Sequence, residues 1–169
     1  MRSFANFEHY PHAHLIWQWL EDDFGIVPSV FDAYRLWHRP GRGAIWIADR
    51  QWSMHPETNL ETVGMQVTRR PPPRAKPSTY FAQKFGQHAS VNVVDLPDEL
   101  LVPFFRGEYV DVPVTPGKPR YCIVRLRGQT LGCGWISRGQ MRSQLPRFWT
   151  REWGHEMPIG TTITTPATS

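Results

Sequence analysis

Cysteine is almost missing from this chain of 169 residues, where Cys122 and Cys133 are the only two. Two thiols cannot form the disulfide framework of a small secreted domain, and neither stands in the C-x-x-C spacing of a zinc site. If Gly128-Gln129 is the two-residue turn of a hairpin, Cys122 faces Trp135 and Cys133 faces Val124. The thiols are then offset, and two buried, reduced cysteines are expected. Long apolar runs are missing too. No stretch approaches the roughly 20 apolar residues of a membrane span. Residues 1–10 lack the apolar segment of a secretory leader, so the cytoplasm is the expected location. No internal repeat is visible.

Carboxylates are absent from two long stretches. Residues 62–94 carry Arg69, Arg70, Arg74, Lys76 and Lys84 with no acid. Residues 112–151 carry Lys118, Arg120, Arg125, Arg127, Arg138, Arg142, Arg147 and Arg151, again with none. Between them, residues 95–111 hold five acids against Arg106 alone, and residues 1–61 hold eight acids and five bases. The net charge of +4 therefore matters less than its arrangement in two basic blocks around an acidic element. Arginine dominates both blocks, and its planar fork suits phosphate better than a lysine point charge does.

What the chain does have is apolar mass. It is 40% hydrophobic with eight Trp and nine Phe, enough for a core without covalent staples. Residues 11–24 read as a helix, with Pro11 in the first turn, Ala13, Ile16, Trp17, Leu20 and Phe24 on one face, and Gly25 closing the end. Residues 34–37 and 44–48 read as a hairpin with a basic tip around Arg39 and Arg42, and residues 64–68 as a further strand. The run Arg69-Arg70-Pro71-Pro72-Pro73-Arg74-Ala75-Lys76-Pro77 must be a stiff exposed loop, since proline removes amide donors and favours extended backbone. Ser78 can cap a short helix ending at Gly86, so basic side chains and free amides are expected to meet at one anion. From Val91 on the pattern turns to short strands at 91–94, 109–114, 121–126 and 130–136, with a short helix over 98–105. Gly132 and Gly134 are expected to let another backbone come close. Residues 156–169 have little to bury and read as a flexible tail.

Several of these residues also form a pattern. Lys76-Pro77-Ser78-Thr79, Gln83-Lys84-Phe85-Gly86, Ala89, Asn92-Val93-Val94, Phe105-Arg106-Gly107-Glu108 and Leu131-Gly132-Cys133-Gly134 together resemble an archaeal pre-PUA domain followed by a PUA-like domain, over roughly residues 12–153. The last two motifs, with residues 139–147, are also similar to the C-terminal RNA-binding module of Sun-type RNA cytosine methyltransferases, and pre-PUA/PUA ribosome-biogenesis factors are similar too. The resemblance implies an α+β fold, with a small α/β pre-PUA-like unit at 1–92, a PUA-like β pseudo-barrel at 93–155 and the tail beyond. It also implies RNA binding beside the turn at Arg106-Gly107. The chain departs from the methyltransferase modules in having Arg142, Ser143 and Gln144 where lysine and asparagine are expected, which keeps the positive charge. A methyltransferase catalytic domain and a Gly-rich nucleotide loop are absent from the sequence, and neither cysteine follows Pro or Thr as the nucleophile of those enzymes does.

Other candidates are weaker. His12 and His14 would point about 200° apart on a helix, and with His9 they lack a further ligand at metal spacing, so no metal is expected. Glu21, Asp22 and Asp23 splay around a helix end as a solvated face. Trp135, Phe148, Trp149 and Trp153 have basic neighbours and are candidates to stack on unpaired bases, whereas Trp17, Trp37 and Trp46 fit core periodicity. The expected RNA-binding set is Arg69, Arg70, Arg74, Lys76, Lys84, Arg106, Gly107, Arg125, Arg138, Arg142, Arg147, Trp149 and Arg151. No convergent acid, base or metal set can be assembled, so the chain is expected not to be an enzyme and to need no cofactor. Expected partners are RNA, above all rRNA, and ribosomal or pre-ribosomal proteins or a separate methyltransferase, with no membrane. The competing reading is an accessory subunit whose aromatic and arginine-rich surface docks a protein.

Overall fold

The first helix shows how the chain organises its core. In the computed structural model, which describes residues 6–55, 60–115, 117–147 and 149, α1 spans Ala13–Phe24 and buries Ile16, Trp19, Leu20 and Phe24. Gly25 ends it in the left-handed conformation at φ 64°, where its amide donates to Glu21 O and that of Ile26 to Leu20 O. Trp17 stays half-buried and stacks on Phe31 at 4.6 Å, within a 3-10 turn at Pro28–Phe31. Trp19 can turn inward because its indole N–H finds Asp23 Oδ2 at 2.9 Å.

The first sheet is antiparallel throughout, in the order β1 (Glu8–His9), β2 (Tyr34–His38), β3 (Ile45–Asp49) and β4 (Met65–Thr68). Leu36, Ile45, Ile47 and Val67 face α1 and α2, the latter spanning Thr79–Phe85. Trp37, Ala48, Val63 and Phe7 form a second apolar layer, with Trp46 and Trp52 packed against it. The Ser78 hydroxyl caps α2 by accepting from the Phe81 amide at 3.2 Å.

The second sheet contains β5 (Val93–Asp95), β6 (Tyr109–Asp111), β7 (Arg120–Leu126), β8 (Gln129–Ser137) and β9 (Gln140–Ser143), in the order β5-β7-β8-β9-β6. Only β5 runs parallel to its neighbour. It curls into a half-barrel, and the α+β arrangement is compatible with a PUA-like pseudo-barrel. Its inner face, with Val94, Val110, Cys122, Val124, Ile136, Met141 and Leu145, closes over Phe104 of α3 (Leu101–Phe105).

The β7–β8 hairpin corrects one expectation. Its turn is Arg127-Gly128, both at positive φ (49° and 79°), so Leu126 pairs with Gln129, and a bulge follows between Val124 and Arg125. Cys122 therefore faces Gly134 and Cys133 faces Ile123, one residue away from the pairing with Trp135 and Val124 that a Gly128-Gln129 turn would give. The thiols consequently lie in different layers, Cys122 in the barrel core and Cys133 in the core of the first sheet and its helices. Gly132 and Gly134 also differ from expectation. What approaches them is side chain rather than backbone: a Cβ at Gly132 would meet Leu145 Cδ2, and one at Gly134 would meet Met141. The expected tail at 156–169 lies outside the described residues.

Candidate nucleic-acid interface

The outer face of the second sheet is covered along part of its length by α2. Gly86 lies against Thr130 and Ile123. Gln83 Nε2 donates to Leu131 O at 3.0 Å, Thr79 approaches Gly132, and the Cys133 thiol points at Pro77 O at 3.6 Å. Ile123 and Cys133 thereby join the core of the first sheet. On the same face, one register row further along, Tyr121 pairs with Trp135, Trp135 with Arg142, and Arg142 with Tyr109, so four neighbouring strands present a continuous row. The Tyr121 and Trp135 rings stand 4.7 Å apart at 60°. Arg142 donates through Nε to Gly107 O at 2.8 Å, and its Cζ lies 5.5 Å from the Tyr109 ring centroid. Arg142 and Tyr109 are exposed and Trp135 is half-buried.

Arg142 thus ties β9 to the α3–β6 turn, where Gly107 adopts φ 73° and follows the exposed Arg106. Arg138 is exposed at φ 53° beside Gly139 in the β8–β9 turn. Arg147 is exposed just after this region, and Trp149 is half-buried, packed on the barrel core and edge-on to Tyr80 at 6.2 Å. Arg151, Phe148 and Trp153, also singled out in the sequence, lie outside what the structure describes. Arg125 points elsewhere. Its Nη2 donates to Gly86 O at 2.8 Å, Ala89 O at 2.9 Å and Gln87 O at 3.3 Å, binding β7 to the turn after α2. Lys84 is exposed with its ammonium over the Tyr34 and Phe85 rings, at 5.4 and 5.7 Å.

The proline-arginine loop is held by one buried hydroxyl. Thr68, 1% exposed, donates from Oγ1 to Arg70 O at 2.8 Å and accepts from the amides of Arg70 at 3.3 Å and Lys76 at 3.2 Å. Arg69, Arg70 and Arg74 project from the closed loop as exposed residues. A Cβ on Gly43 would stand 3.1 Å from Arg69 O, so the tip of the β2–β3 hairpin abuts the loop and brings the exposed Arg42 to it. The basic tip at Arg42 is visible in the sequence, but nothing there signals that it joins the loop. Arg39, the other arginine of that tip, is drawn inward over the Phe7 ring and donates to Leu60 O. At the start of α2, where an anion was expected, Ser78 Oγ takes the Phe81 amide and Thr68 Oγ1 takes that of Lys76. Lys76 is half-buried near Cys133, where the loop reaches the second sheet.

Burial pushes both thiols up to about 12; the nearby Cys122 adds to the rise at Cys133. Both are free and buried, which makes them inert packing groups rather than nucleophiles. Among the described residues, no three His, Cys, Asp or Glu side chains are grouped to hold a metal ion. No helix among them is long and apolar enough to cross a membrane.

Residues 91–151 match the family described as the Methyltransferase RsmF PUA domain. The matched stretch holds all five strands of the second sheet together with α3, and none of α1, α2 or the first sheet. It supports a PUA-like RNA-binding module like that of Sun-type methyltransferases. No curated protein matches the chain.

Proposed function

We propose that the protein binds RNA through its PUA-like second unit, acting on rRNA or pre-ribosomal particles in ribosome biogenesis or rRNA modification, in the cytoplasm and without a catalytic centre of its own. The observation that carries this reading is the PUA-domain match over residues 91–151, laid on a sheet whose rim exposes Arg106, Arg138, Arg142 and Arg147. Residues 1–92 take the role of a pre-PUA-like platform. They bring the loop arginines Arg69, Arg70 and Arg74, with Arg42, as a second cationic surface for the phosphate backbone. Base-edge readout is secondary to phosphate and shape in such a module.

The test is binding of the purified protein to structured rRNA fragments across a salt series, beside an Arg142→Ala/Arg147→Ala double variant. The expected result is a steep salt dependence in the parent and a slope shallower by about two in the variant. Absence of binding at low salt overturns the proposal.

The second reading, an accessory subunit that docks a protein, draws on Val27 and Val91. Both stay close to half exposed, at 49% and 45%, and Val91 lies beside the Gly25 that ends α1. A complex made there would resist salt that dissociates RNA.

A further inference from the structure

We infer that the row Tyr121–Trp135–Arg142–Tyr109 is a stacking platform for unpaired RNA bases. The inference rests on the RNA-binding reading above and names the form of RNA that this face takes: a single-stranded segment.

Cross-strand pairing explains Tyr121 against Trp135, since aromatic neighbours on adjacent strands stabilise a sheet. Tyr121 also packs against the core of the first sheet, so it anchors the covered end of the row. Such pairing does not explain the other end. Tyr109 lies on the edge strand β6 with 54% of its surface in solvent, and no buried cluster includes it. Leaving a large ring there, with a guanidinium held 5.5 Å from its centroid, does nothing for the core. It does set aromatic rings and a guanidinium side by side on one face, with Trp135 inclined 60° to Tyr121, and exposes the Tyr109 ring to the π-face of a base.

Arg142 is fixed for that role. Its Nε bond to Gly107 O holds the side chain on the row and leaves a positive charge at its centre. Arg138 adds an exposed charge at the β8–β9 turn. Asp111, two residues along β6, is engaged by Gln140, whose Nε2 donates to its Oδ1 at 3.1 Å. Trp135, Arg142 and Tyr109, beyond the covered end, span two steps of about 4.8 Å, about 10 Å in all, which is room for about two splayed bases. A duplex keeps its bases stacked on each other and cannot use this surface.

The experiment compares three probes of about ten nucleotides on the full chain at fixed salt. They are an unstructured single strand, its duplex, and the same single strand carrying abasic positions at its centre. Tyr109→Leu and Trp135→Phe accompany the parent. The leucine variant removes an exposed ring that no core residue needs, and the phenylalanine variant keeps an aromatic plane.

The expected result is that the single strand binds best and that central abasic positions weaken it about tenfold or more. Tyr109→Leu should weaken it several-fold with the salt slope unchanged, while Trp135→Phe retains most of the affinity. Steeply salt-dependent binding of all three probes alike, or affinity indifferent to abasic positions and to Tyr109→Leu, overturns the platform and leaves the RNA-binding reading standing. If none of the probes nor structured rRNA binds at low salt, both fall together, and the row becomes a surface for a protein.

Discussion

Arg125 offers a sharp separation between a side chain that holds the fold and one that holds RNA. Its Nη2 carries two hydrogens shared among Gly86 O, Ala89 O and Gln87 O, so two bonds at full strength are the most it can make. Bonds from a charged donor contribute about 1.5–3 kcal/mol each, or about 3–6 kcal/mol for two. Against this, Nε is buried without a partner, a loss of about 1–3 kcal/mol. Arg125→Ala should therefore destabilise the protein by about 2–3 kcal/mol. With a urea dependence of about 1–3 kcal/mol per molar, the unfolding midpoint should fall by roughly 1–2 M. Arg125→Lys keeps the charge but not the fork, and should lose at least half as much. RNA affinity of the folded variants, measured well below their melting points, should keep the parent's salt slope. If Arg125→Ala leaves the urea midpoint in place and lowers the salt slope by about one, the side chain is a phosphate contact and the structural reasoning is refuted.

Thr68→Val keeps the shape of a buried side chain but strands the amides of Arg70 and Lys76, and should cost about 2 kcal/mol. Limited trypsin digestion should then cut the loop at Arg69-Arg70 and Arg74-Ala75 well before the parent is cut, while Arg70-Pro71 stays intact; equal cleavage rates would remove Thr68 as the latch. Gly132→Ala forces a Cβ into φ 151° and to 2.7 Å from Leu145 Cδ2, so a loss of about 1–3 kcal/mol is expected in thermal melts, and combination with Leu145→Ala should be less than additive. Both thiols ionise in the unfolded chain near 9.0 and in the folded one only near 12, so their contribution is whole below pH 9. As pH rises from there towards 12, the unfolded state loses protons first and stability drops by about 1.4 kcal/mol per thiol per pH unit. Thiol-reagent titration at pH 8 should find neither group reactive until denaturant is added.

Much of this architecture was legible because it obeys local rules. The 3.6-residue pattern with Gly25 gave α1, the hairpin tip gave β2 and β3, and Ser78 gave the start of α2. The register of β7 and β8 was not, because Arg127 takes the left-handed conformation in the turn and a bulge then shifts the ladder, and neither event has a marker in the sequence. Strand β9 was hidden in a basic run: only Met141 of its four residues is fully buried, so no alternation was visible. The basic blocks identified which segments carry charge, but not which way each arginine turns. Arg125 and Arg39 go to carbonyl groups inside the protein, while Arg42 joins the loop at Arg69 through a glycine contact that only tertiary structure creates. Trp135 and Arg142 were singled out in the sequence, but the row was not, because Tyr109 and Tyr121 lie far from them in the chain and become their neighbours only through strand order.

The cover that α2 lays over Ile123 and Cys133 also bears on how portable the second unit is. A protein engineer who cut the chain just before β5 would obtain every strand of the half-barrel, yet would leave one side of β7 and β8 stripped of its apolar lid. Such a fragment would invite self-association through that bared patch. To graft this unit onto an enzyme, the cassette would have to begin no later than Ser78 and carry α2 with it.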